Sequence, residues 1–137
     1  MLLLLLIVLS FPVLCMGESA IQSEGNMSYI ITSEGAVIID WNNQLPDVLD
    51  ATLYVPPTLG GIPVVGIGFD AFDTCNEGPS TQFQLILPEG ITFLEKGAFQ
   101  CCNQATVISL PSTLETIPEG SFIHVTAEIV FPNGNPY

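Results

Sequence analysis

The chain has 137 residues, 48 % of them apolar, which fits one domain with its own core and is too apolar for a disordered chain. Fourteen acidic residues stand against one basic residue, Lys96. The net charge of -13 argues against a nucleic-acid surface or an anionic membrane surface, since both are bound by clustered Lys and Arg. The same charge can serve solubility, or steer the protein toward a basic partner.

Residues 1–17, "MLLLLLIVLSFPVLCMG", form an apolar run that is short for a membrane-spanning helix and is interrupted by Pro12. Cys15 and Gly17 fall where a signal peptidase needs small residues, so cleavage after Gly17 is expected, although no Lys or Arg precedes the run. Only if this segment stayed uncleaved would the chain be held in a membrane. Cleavage leaves three cysteines, Cys75, Cys101 and Cys102, an odd count for a secreted chain. Asn26-Met27-Ser28 is a glycosylation sequon, which makes Asn26 a candidate modification site. Residues 18–27 read as a polar leader. Residues 28–41 read as a hairpin turning at Ser33-Glu34-Gly35. This hairpin is expected to cover the exposed core of the first repeat as an N-terminal cap, so that 18–51 is leader and capping hairpin. "NNQLPDVLD" is a loop.

From Thr52 onward the sequence repeats. Pro88 and Pro111 are 23 residues apart. Leu85 and Leu87 before the first match Ile108 and Leu110 before the second. After the prolines, Ile91, Leu94, Gly97 and Phe99 match Leu114, Ile117, Gly120 and Phe122. An earlier copy surrounds Pro56, with Leu53, Val55 and Leu59; a five-residue insertion follows before Ile67 and Phe72 restore the frame. A fourth copy opens with Ile129, Phe131 and Pro132. Agreement at so many positions marks a structural repeat. Each copy opens with a short strand that shows one apolar face, and its proline ends that strand. "DAF", "GAF" and "GSF" make the turn that drops a Phe inward. One coil buries little, but stacked coils share a continuous core, with strands about 4.8 Å apart. The expected fold is a β-rich solenoid of about 3.5 coils over 52–137, with an N-terminal β-hairpin cap.

"LYVPPTLGGIPVVGIGFDAFDTC", "LILPEGITFLEKGAF" and "ISLPSTLETIPEGSF" resemble the BspA-type leucine-rich repeats, including the "GxPV" insertion in the opening repeat. "MSYIITSEGAVIIDWNN" is similar to the segment that precedes the repeats in that family. The resemblance spans residues 27–137. It implies a right-handed solenoid, a secreted or cell-surface location, and protein binding such as adhesion to host or matrix proteins. The alternative is a truncated structural fragment of a longer repeat protein.

No residue pattern points to catalysis, a cofactor or a metal. His124 is the only histidine and has no second ligand at a zinc spacing. Asp70, Asp73 and Glu77 lack the pattern of a calcium loop and read as solvated acids. No nucleophile elbow or phosphate loop occurs, so the chain reads as a non-enzyme. Cys75 and Cys102 each follow their repeat's Phe by three residues, which suits either buried thiols or a disulfide between stacked coils. Cys101, one position off, should point elsewhere.

The outward side of the strands is the candidate partner-binding face. Tyr54, Ile86, Ser109 and Val130 stand two residues before the prolines. Thr52, Gln84, Val107 and Glu128 stand four before. Tyr54, Ile86 and Val130 are more apolar than solvation requires, through strand propensity alone or through contact with a partner. Tyr54, Ile86, Ser109, Val130, Gln84 and Glu128 are therefore the binding candidates.

Overall fold

The structure is a computed structural model that describes residues 20–42, 51–73 and 82–132. The expected leader cleavage at Gly17 lies outside these residues. Ten strands and no helix occur among the described residues. They are β1 (Gln22–Glu24), β2 (Met27–Ile31), β3 (Ala36–Trp41), β4 (Ala51–Tyr54), β5 (Thr58–Leu59), β6 (Ile62–Ile67), β7 (Phe83–Ile86), β8 (Phe93–Leu94), β9 (Ala105–Ser109) and β10 (Glu128–Val130).

β4, β7, β9 and β10 form a parallel sheet in that spatial order. Its register is the one the prolines predict. Leu53 stands beside Leu85, Leu85 beside Ile108, and Ile108 beside Ile129. Leu85 and Ile108 are fully buried, because alternation along a strand sends this row into the core.

The second sheet carries the return side of each coil. β6 pairs in parallel with β8, and a single bridge joins Phe93 to Thr116. The five-residue insertion forms a small hairpin of β5 and β6 across Gly60-Gly61. On the N-terminal side β3 pairs in parallel with β6, aligning Ile38 with Ile67. β2 and β1 then continue the sheet in antiparallel fashion.

The expected hairpin is present as β2 and β3, turning at Thr32–Gly35, where the Thr32 hydroxyl donates to the Gly35 carbonyl at 2.9 Å. The stretch read as a polar leader departs from expectation, because Gln22–Glu24 is a strand. Its three residues are all exposed, so it carries no apolar alternation that a sequence could display. Backbone pairing with β2 holds it, helped by polar contacts: the Tyr29 hydroxyl donates to the Gln22 side-chain oxygen at 3.2 Å, and the Gly60 N–H to the Glu24 carboxylate at 2.6 Å.

Three phenylalanines form a column through the core. Phe72 stacks on Phe99 with ring centroids 5.4 Å apart, and Phe99 on Phe122 at 5.3 Å. Trp41 extends the column beyond the first coil, 5.7 Å from Phe72. Its backbone does the same. The N–H of Phe99 donates to Ser121, that of Phe72 to Ala98, and that of Trp41 to Ala71. Trp41 thus stands where a further coil would place its Phe. Phe122 was expected in the core, but it is only partly buried, since it belongs to the last described coil.

The turn before each Phe needs a left-handed residue. Gly97 and Gly120 supply it with φ of 78° and 87°. The first coil has Asp70 at the same place, with φ of 54°. One oxygen of that carboxylate, Oδ1, is buried without a hydrogen-bond partner. Burial first, and the neighbouring Asp73 charge second, hold the Asp70 pKa above its ordinary value. The folded state therefore binds this proton more tightly than the unfolded chain. Stability falls as pH rises through that window, and the penalty is absent below the ordinary carboxylate range. Asp70→Gly is expected to stabilise the fold by about 1 kcal/mol from backbone strain alone. The gain measured by urea unfolding should shrink, without vanishing, in acid. A destabilised Asp70→Gly variant at neutral pH would contradict this account.

Candidate binding face

The parallel register brings Tyr54, Ile86, Ser109 and Val130 into one row across four strands. Tyr54 is the most open of them, with 68 % of its surface exposed. Ile86 and Ser109 are half-buried, and Val130 is exposed. Thr52, Gln84, Val107 and Glu128 form a parallel row, with Gln84 and Glu128 exposed and Val107 half-buried. All six candidates thus lie on one ordered sheet surface, placed there by backbone pairing rather than by side-chain contacts.

Polar side chains lace neighbouring coils along one margin. The Glu89 carboxylate accepts from the backbone N–H and the hydroxyl of Ser112, at 3.0 and 2.8 Å, and from the backbone N–H of Thr113 at 3.2 Å. These bonds, the Ser112 backbone first, hold its pKa below the ordinary value. Its contribution is present above the unfolded-chain value and is lost as pH falls, opposite in sign to that of Asp70. The Thr113 hydroxyl in turn donates to the Ile91 carbonyl at 2.8 Å and accepts from the Gly90 N–H at 2.9 Å.

Phe69 is an exposed aromatic that the repeat pattern does not single out. It stands before Asp70, on the turn side rather than the strand side, and covers Gly97. The matching positions in the next coils are Lys96 and Glu119, so no fixed residue type marks the place.

The cysteines correct one expectation. Cys102 does not form a disulfide; it is a free thiol, fully buried in the core. Cys101 is the disulfide-bonded one. Cys75 lies outside the described residues. The reason is local: Cys101 takes a left-handed turn conformation, φ 56°, as His124 does at the matching place in the next coil. That turn leaves Cys101 only half-buried while Cys102 enters the core. Burial pushes the Cys102 thiol up to about 12, against a hydrogen bond with the Ala105 backbone that lowers it. Because the thiolate is the reactive form, iodoacetamide at neutral pH should label Cys102 only after denaturation, as read by peptide mass spectrometry. Labelling of the native protein at Cys102 would place the thiol at the surface.

His124 is exposed, and among the described residues no group of three or more His, Cys, Asp or Glu is placed to hold a metal ion. Glu77 lies outside the described residues. Asn26 is exposed in the turn between β1 and β2, where its carbonyl accepts from the Asn42 N–H at 2.9 Å.

No protein-family model and no curated protein matches the chain. Solved structures do match. A leucine-rich repeat protein of T. pallidum superposes with a TM-score of 0.65 at 24 % identity, over 81 % of this chain and 50 % of the other. A leucine-rich cell-surface protein of Faecalibacterium prausnitzii superposes with a TM-score of 0.60 at 19 % identity, over 83 % of this chain and 32 % of the other. The chain therefore spans half the length of the first and about a third of the second. The repeat register, the parallel strand row and these superpositions agree: the chain has the leucine-rich repeat fold, as its likeness to the BspA-type repeats led one to expect.

Proposed function

We propose that the protein is a secreted or surface-displayed recognition module that binds a protein partner, in adhesion or recognition, through the outward face of its parallel strands. In this reading residues 1–17 are a signal peptide, β1 to β3 within 18–51 form the N-terminal cap, and 52–137 form a right-handed solenoid of about 3.5 coils. The observation that carries it is the row of Tyr54, Ile86, Ser109 and Val130, a flat surface already ordered by backbone pairing. Such a surface loses little entropy on binding, which favours affinity. Tyr54 is the expected anchor, with a large apolar body and a hydroxyl on an exposed strand end. Gln84 and Glu128 flank the row, and the chain's acidity steers a basic partner toward it. Support for the location comes from the Faecalibacterium neighbour, which is described as a cell-surface protein. Fold likeness alone does not carry function, so the reading stands on the strand row.

The test compares wild type with a Tyr54→Ala, Ile86→Ser double variant of equal melting temperature. Both are immobilised and exposed to extracellular-matrix and host-surface proteins. Loss of captured partners with the variant supports the strand face. Equal capture by both places binding elsewhere.

A further inference from the structure

The two sheets end differently on the N-terminal side. The return-side sheet runs on past β6 through β3, β2 and β1. Among the described residues the strand-face sheet stops at β4. The Val55 N–H donates to Ile86 at 3.0 Å, so with a period of two the backbone groups of Leu53 and Val55 turn toward β7. Those of Thr52 and Tyr54 turn the other way, and among the described residues they have no hydrogen-bond partner. The core row is open at the same place. Leu53 and Ala51 are only partly buried, whereas Leu85 and Ile108, further along the row, are fully buried.

A second copy of the chain is a poor occupant of this edge. Two chains of charge -13 repel, and β3 to β1 lie on the side from which the copy would approach. A single extended segment meets neither obstacle. It would pair with Thr52 and Tyr54 through its backbone, as strand-addition ligands do. Alternate side chains would then fall beside Leu53 on the inner face and beside Tyr54 on the outer one. The inner position wants an apolar residue. The outer position faces an exposed phenol on a protein with 14 carboxylates and one ammonium group, which selects Lys or Arg.

We propose that the edge of β4, open among the described residues, receives an extended cationic peptide segment as an added strand, with an apolar residue beside Leu53 and Lys or Arg beside Tyr54. This deepens the strand-face reading and rests on it through Tyr54, while Thr52 belongs to the edge alone.

The experiment titrates the secreted chain with a fluorescein-labelled ten-residue peptide of alternating valine and lysine, followed by anisotropy. Two control peptides replace lysine with glutamate, or carry N-methyl groups on alternate amides. The valine–lysine peptide is expected to bind, with both controls at least about tenfold weaker, the equivalent of one or two lost hydrogen bonds. Thr52→Pro removes an edge N–H without touching the pairing to β7, and should weaken binding by a similar factor at unchanged melting temperature. Slowed amide exchange at Thr52 and Tyr54 of the wild type on peptide binding gives the same answer without a variant. Absence of binding, equal binding of either control peptide, or full affinity in Thr52→Pro would overturn the proposal. An Ile86→Ser, Val130→Ser variant separates the two readings. If it alone loses protein partners while Thr52→Pro keeps them, the strand face stands and the edge falls.

Discussion

Replacing Phe99 with alanine is expected to unfold much of the domain under conditions where the wild type is stable. The ring is fully buried and is stacked on both sides, 5.4 Å from Phe72 and 5.3 Å from Phe122. Removing it takes away the middle of the aromatic column and leaves a cavity that coils on either side cannot collapse to fill, because backbone bonds hold their spacing. Phenylalanine-to-alanine changes in a core cost about 3–5 kcal/mol. A domain of this size has only about 5–15 kcal/mol to lose. Phe122→Ala should be milder, since that ring is partly exposed and, among the described residues, stacks on Phe99 alone. Urea unfolding of the two variants gives the order. A Phe99→Ala protein that melts within a degree or two of wild type would show that the column does not hold the coils together.

Gly35→Ala is expected to cost nearly as much, by overpacking rather than by emptying. Gly35 sits in the β2–β3 turn with φ of 155°, a conformation that side chains rarely adopt. An added methyl would lie 2.6 Å from the Pro63 carbonyl oxygen and 2.7 Å from Cγ1 of Val65. The first neighbour is backbone inside β6, so it cannot swing aside. Strained backbone and overpacking each cost about 1–3 kcal/mol. The variant's melting temperature should drop sharply, and Val65→Ala should restore only part of the loss, because the carbonyl remains. Full rescue by Val65→Ala would mean that the side chain alone sets the requirement.

How much of this was legible in the sequence depended on whether a residue obeyed the repeat. The inward row of Leu53, Leu85, Ile108 and Ile129 was readable because each stands three residues before a proline that ends its strand. The outward row of Tyr54, Ile86, Ser109 and Val130 followed from the same count. Trp41 was not legible as the next member of the phenylalanine column. It lies in a hairpin with no proline or Gly-x-Phe turn to align it, and only the pairing of β3 with β6 brings it there. β1 was missed because an exposed strand leaves no apolar signature. The sequence left Cys102 open between a buried thiol and a disulfide with Cys75, because equal spacing from Phe72 and Phe99 suits both; it is a buried free thiol. The left-handed turn at Cys101 decides the matter, and side-chain type does not announce it. That Thr52 and Tyr54 lie at an edge unpaired among the described residues depends on which sheet the hairpin extends, a choice made in three dimensions.

Trp41 is the sole tryptophan of the chain, and it rests against Phe72 and Phe83 at one end of the stack. Its indole fluorescence is therefore a local reporter of whether the hairpin is docked on the first coil. Circular dichroism, by contrast, averages over all strands. In a linear stack, where each coil touches only its neighbours, the ends can fray independently of the middle. Overlay of the two optical signals during unfolding would describe a stack that melts as one unit. An earlier fluorescence change would describe one that opens from the hairpin end.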